Sequence, residues 1–164
     1  MTNKEFFIKT LSDEMQITAG AVNALPEDMD KLSYRPDPKS RSAIEIVGHM
    51  LPHVEGMKDA VKTFVIKEDG IEFTSREEAV EYLSKNTAEL VENLKTVDDK
   101  TWDEKVVPFE YMGSNLFEAP MYEMYWMFLL DIIHHRGQLS SYYRSMGVRN
   151  PQIYGPTADD VQSA

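Results

Sequence analysis

Histidines and carboxylates spaced four apart on a helix share one face, where they can hold a proton or a metal ion together. This chain has two such pairs: His49 with His53 in GHMLPHVEG, and Asp131 with His135 in DIIHHRGQL. Alone, an acid and a histidine at this spacing form a local hydrogen-bonded pair; facing a second helix that carries His49, they are half of a metal site. The surroundings bring the second reading level with the first. Asp131 continues the apolar run MYWMFLL, and His49 lies between Val47 and Leu51, places where an acid or imidazole is costly to bury without a partner. Imidazole and carboxylate suit zinc, nickel, iron or manganese, and three protein ligands leave positions open for water or substrate. Such an ion acidifies water or a thiol near neutral pH.

The neighbouring residues have plainer expectations. His134 points away from the Asp131–His135 face, toward a hydrogen bond or an interface. His53 is expected to support the pocket, or to become a fourth ligand if Pro52 turns it inward. Gln138, one turn beyond His135, either orients a ligand or packs at a helix contact. Arg136 pairs with a distant acid or meets an anionic substrate, and Gly137 is expected to admit a close neighbouring helix. Met50, Met57, Met121, Met124 and Met127 read as adaptable core filler, and Tyr154 as a pin for the tail.

These residues need helices to position them. From Asn3 to Leu25 apolar residues recur at three- and four-residue steps, which predicts a first helix. LSYRPDPKSRS breaks the pattern with two prolines, and Ser42 with Glu45 forms a capping box for a second helix running to about Ile66, kinked at Pro52. KEDGIEFTS is a turn, after which Thr74 and Ser75 cap a third helix to about Val97. TWDEKVVPFEYMGSN, with Pro108, Gly113 and the β-prone Val106–Val107, reads as a long crossover; Asn115 with Glu118 then caps a fourth helix reaching Met146. The expected fold is all-α, a four-helix bundle with a long crossover between helices 3 and 4, in one domain over 1–164 with an irregular tail over 147–164.

DIIHHRGQLSSYYRSMG followed by PQIYGPTADD resembles the last helix and tail of the DinB-like superfamily (DinB and YfiT-like proteins), and RSAIEIVGHML resembles its second helix. The resemblance implies a helical bundle that holds a divalent metal through three histidines, which fall here at His49, Asp131 and His135. Asp131 stands where the usual pattern has histidine, and two histidines with one carboxylate remain a competent ligand set. The resemblance also implies a homodimer, and a transferase that uses a low-molecular-weight thiol on a small electrophile, or a hydrolase. The thiol would be a cosubstrate, because the chain has Cys 0. The alternative function is a non-catalytic bundle that binds a small ligand or a protein partner without metal.

Composition narrows the partners. A net charge of -11 repels phosphates, so nucleic acid is excluded as a direct partner and an anionic membrane surface is disfavoured. The first residues, MTNKEFFIKTLSDEM, lack the uninterrupted apolar stretch of a signal peptide, and with no cysteine the chain is expected in the cytoplasm.

Overall fold

The computed structural model describes residues 1–160. Four helical segments of the sequence dominate it. The first, α1 (Asn3–Asn23), starts at a capping box in which Thr2 accepts from the Glu5 amide and Glu5 accepts from the Thr2 amide. A short α2 (Met29–Leu32) follows. Ser42 and Glu45 form the expected box at the start of α3 (Ala43–Met50).

Pro52 does more than kink the second helix. The helix stops at Leu51, and Pro52 occupies the first turn of a new helix, α4 (Pro52–Thr63), where its missing N–H removes no internal bond. α4 ends at Phe64, which is left-handed (φ 55), so Ile66 is not helical but opens strand β1 (Ile66–Glu68). Ser75 caps α5 (Arg76–Lys95) by accepting from the Glu78 amide. The Glu78 carboxylate goes to Thr74 instead of closing the box on Ser75.

The expected crossover contains structure, and the fold is mostly helical with a small three-stranded sheet rather than all-α. A short α6 (Asp99–Glu104) precedes β2 (Val106–Tyr111), and Met112 and Gly113, both at positive φ, turn the chain into β3 (Ser114–Pro120). Two consecutive residues with positive φ suit the twist of a hairpin. β2 pairs antiparallel with β3 and parallel with β1. Asn115 is therefore paired opposite Glu110 and does not cap the last helix. That helix, α7 (Met121–Ser140), follows Pro120 directly and ends before Met146; the chain then passes through a 3₁₀ turn at Arg144–Met146, which Gly147 closes at φ 79.

The core lies among α1, α3, α4, α5 and α7; Phe7 packs edge to face on Tyr125 and Trp126 and tilted on Trp102, which meets Tyr125 edge to face. Met50, Met57, Met121 and Met124 are buried as expected, whereas Met127 is exposed. Among the described residues no helix is long and apolar enough to cross a membrane.

Two glycines bring the β1 region onto the helices. A Cβ on Gly48 would lie 2.6 Å from the backbone oxygen of Ile71, and one on Gly56 would lie 2.9 Å from Ile66 Cγ2. Gly137 is different: it is exposed, and nothing lies within 4 Å of a Cβ built there, so it admits no close neighbour. Alanine in place of glycine inside a helix gains about 1 kcal/mol from propensity, while overpacking costs about 1–3 kcal/mol. Gly48→Ala is therefore expected to be destabilising and Gly137→Ala stabilising by up to about 1 kcal/mol. Urea unfolding of the two variants checks the opposite signs.

Candidate metal centre

Four side chains from three helices converge. His49 sits in the last turn of α3, His53 in the first turn of α4, and Asp131 and His135 are one turn apart on α7. His53 Nε2 lies 2.9 Å from Asp131 Oδ2, His135 Nε2 3.3 Å from the same oxygen, and His49 Nε2 3.6 Å from it. Donor atoms of His49, His53 and Asp131 all lie within 4.8 Å of one another, a group able to hold a metal ion. His53 is buried, turned inward at the Pro52 break, while Asp131 and His49 are only half-buried.

The outer nitrogens of two of these histidines are committed elsewhere. His53 Nδ1 lies 2.6 Å from Oε1 of the buried Glu68, and His135 Nδ1 lies 2.8 Å from Gln138 Oε1. Each acceptor oxygen calls for a proton on Nδ1, which leaves Nε2 as a bare lone pair in the neutral ring. Both lone pairs then face one carboxylate oxygen of Asp131, a repulsive arrangement unless a proton or a metal cation lies between. Gln138 also donates through Nε2 to His134 Nε2, 2.9 Å away. His134 is exposed and directs no atom at Asp131, but through Gln138 it helps hold His135.

Glu68 carries no motif. It occupies the end of a three-residue strand whose burial alternates, and that pattern is too short to read in sequence. It reaches His53 because Gly56 lets β1 lie close to α4: a Cβ at Gly56 would sit 3.5 Å from Glu68 Cγ. Arg136 is not part of the centre. It points across the core to Glu14, 2.6 Å away.

Electrostatics prepares the donors unequally. Burial, then the charge of Arg41 and of the neighbouring imidazoles, pushes the pKa of His49 down to about 4 against the opposing pull of Asp131. His49 is thus neutral at pH 7. Burial opposes protonation of His53 as well, but hydrogen bonds to Asp131 and Glu68 together with their charges outweigh it and raise its pKa. Burial alone would raise the pKa of Asp131; the His135 and His53 contacts hold it far below the usual carboxylate range. The centre opens on a cleft of about 700 Å³ lined by His49 and Glu68.

The DinB family model matches residues 1–163. The chain belongs to the DinB family. Among solved structures, this DinB-family chain is similar to a DinB-like protein from Bacillus cereus, with 20% identity, 92% of this chain and 97% of that chain covered, and a TM-score of 0.71. It is also similar to a DinB-like protein from Bacillus subtilis, with 20% identity, 90% and 96% covered, and a TM-score of 0.66. These likenesses concern the fold. No curated protein matches the sequence.

The donor set fits a divalent ion by two observations. Ligands about 2.0–2.2 Å from a tetrahedral ion stand roughly 3.3–3.6 Å from one another, the range of the His135 and His49 distances to Asp131. The carboxylates of Glu68 and Asp131 together carry the charge that one divalent ion balances. Metal binding has a definite pH dependence. The raised pKa of His53 means that a bound proton must leave before Nε2 can ligate, so affinity rises with pH until that pKa is passed, by up to about tenfold per unit for each displaced proton. His49, neutral down to about pH 4, adds nothing to this slope above that point. Competition titration against a chromophoric chelator between pH 5.5 and 8 is expected to show the increase, and a flat profile would count against His53 as a ligand.

Proposed function

We propose that this DinB-family protein is a divalent-metal-dependent enzyme, acting as a transferase that uses a low-molecular-weight thiol on a small electrophile. His49, Asp131 and His135 would hold the ion, joined by His53; zinc, nickel, iron and manganese all suit this set of imidazoles and a carboxylate. The observation that carries the reading is the pair of Nε2 atoms from His53 and His135 that lie 2.9 and 3.3 Å from a single Asp131 oxygen, with both Nδ1 atoms committed to Glu68 and Gln138. When bound, the ion supplies Lewis acidity, which lowers the pKa of water or a thiol beside it.

The chain's own residues supply position. Glu68 fixes the His53 ring and its tautomer, and Gln138 does the same for His135, the outer support that metal-binding imidazoles commonly need. The cleft beside His49 has room for a small molecule. The sequence has Cys 0, so the thiol nucleophile would arrive with a cosubstrate. The test is turnover by untagged protein loaded with each of the four metals, against a panel of small thiols and electrophiles. Turnover that disappears with chelator supports the proposal; a metal-loaded protein that accelerates nothing across the panel contradicts it.

A further inference from the structure

The cleft beside the histidines has a second charged end that the metal reading does not use. It runs along α3 from the loop before Ser42, past Gly48, to His49, with the segment from Asp69 to Phe73 as its facing wall. Two arginines, Arg35 and Arg41, line it.

Their charges are spent differently. Arg35 Nη2 contacts Glu45 Oε1 at 3.1 Å, and Glu45 also accepts from the Ser42 amide at 2.7 Å as part of the helix cap. That acid is therefore satisfied within the α3 terminus. Arg41 forms no ion pair and donates no side-chain hydrogen bond among the described residues. Its backbone is nevertheless anchored, since the Tyr142 hydroxyl donates to the Arg41 carbonyl at 3.2 Å. Asp69 and Glu72 line the same cleft without an ion pair to Arg41. In a chain of net charge -11, an uncommitted guanidinium on an anchored backbone, lining a cleft, is a specific attraction against a repulsive background. Its planar fork suits carboxylate and phosphate oxygens. Ile44 and Phe73, also in the lining, provide apolar contact for a linking chain.

We infer that the Arg41 side of the cleft is a subsite for the carboxylate or phosphate group of a small molecule whose other end reaches His49. Taking that molecule for the substrate rests on the metal-enzyme reading; the anion subsite does not. A ligand held at Arg41 would have its reacting end delivered beside His49.

The test uses chelator-treated, metal-free full-length protein and follows amide resonances during titration with succinate, methyl phosphate and the uncharged succinamide. Wild type and Asp131→Ala are expected to show saturable shifts centred on residues 41–45 with one or both anions and none with succinamide. The tighter of the two anions identifies the group preferred. Arg41→Gln, a change at an exposed side chain, is expected to weaken the anion at least fivefold. Equal affinity in wild type and Arg41→Gln, or no saturable shift at these residues, overturns the inference. A wild type that binds no metal yet shows Arg41-dependent anion binding would defeat the enzyme reading and leave the subsite standing. Metal binding without any anion effect would do the reverse.

Discussion

Arg136→Met is expected to remove about 3–5 kcal/mol of stability, the usual consequence of breaking a buried ion pair from one side. Arg136 is only 1% exposed. Its Nη2 lies 2.6 Å from Glu14 Oε2 and 2.5 Å from the Tyr154 hydroxyl, and Nη1 reaches the Glu14 carbonyl at 3.0 Å and Thr18 Oγ1 at 3.1 Å. Removing the guanidinium leaves the largely buried Glu14 carboxylate without its counter-charge and releases Tyr154, whose ring also packs against the guanidinium. The favourable Coulomb energy of such a pair is largely offset by desolvation of both charges, so the damage comes from the orphaned partner. Glu14→Leu combined with Arg136→Met should therefore recover most of the loss. Denaturant titration of both variants measures it, and a single-variant loss below about 1 kcal/mol would contradict the account. The same contacts tie the tail to α1 and α7 through Tyr154, the residue expected to pin it.

Asp131→Ala is expected to weaken divalent metal binding at least about 100-fold, since loss of an outer supporting residue alone costs about 10–100-fold and Asp131 is the oxygen on which three imidazoles converge. The variant should still fold, because Asp131 is only half-buried and His53 retains Glu68. Asp131→His, which restores the residue more usual in the resemblance, is expected to retain metal while altering the preference among zinc, nickel, iron and manganese. Equilibrium dialysis against each ion separates the outcomes: unchanged binding in Asp131→Ala would remove this residue from the ligand set.

The parts legible in the sequence were those controlled locally. Ser42 with Glu45 and Ser75 with Glu78 marked helix starts because caps involve residues three apart. The four-residue spacing of Asp131 and His135 marks one face of α7, whereas His49 and His53 fall on separate helices, α3 and α4; His49 and His53 nevertheless meet Asp131, and His135 lies beside it. Asn115 and Glu118 had the spacing of a cap but are paired in β3, because the Met112–Gly113 turn folds this segment onto β2. Glu68 was invisible for a similar reason: β1 is three residues long and exists by pairing with residues 109–111, some forty positions away. Arg136 could be read as either structural or substrate-facing, and only the path of α1 decides that Glu14 is its partner. The last residues of the tail, 161–164, lie outside the described structure.

The most direct measurement is the metal stoichiometry of the untagged wild-type protein after dialysis against zinc, nickel, iron(II) or manganese, read by elemental analysis together with protein concentration. The convergence of His49, His53 and His135 on Asp131 predicts close to one ion per chain for at least one of the four metals. A wild-type protein that retains none of them at neutral pH would contradict the metal centre and, with it, the proposed enzyme.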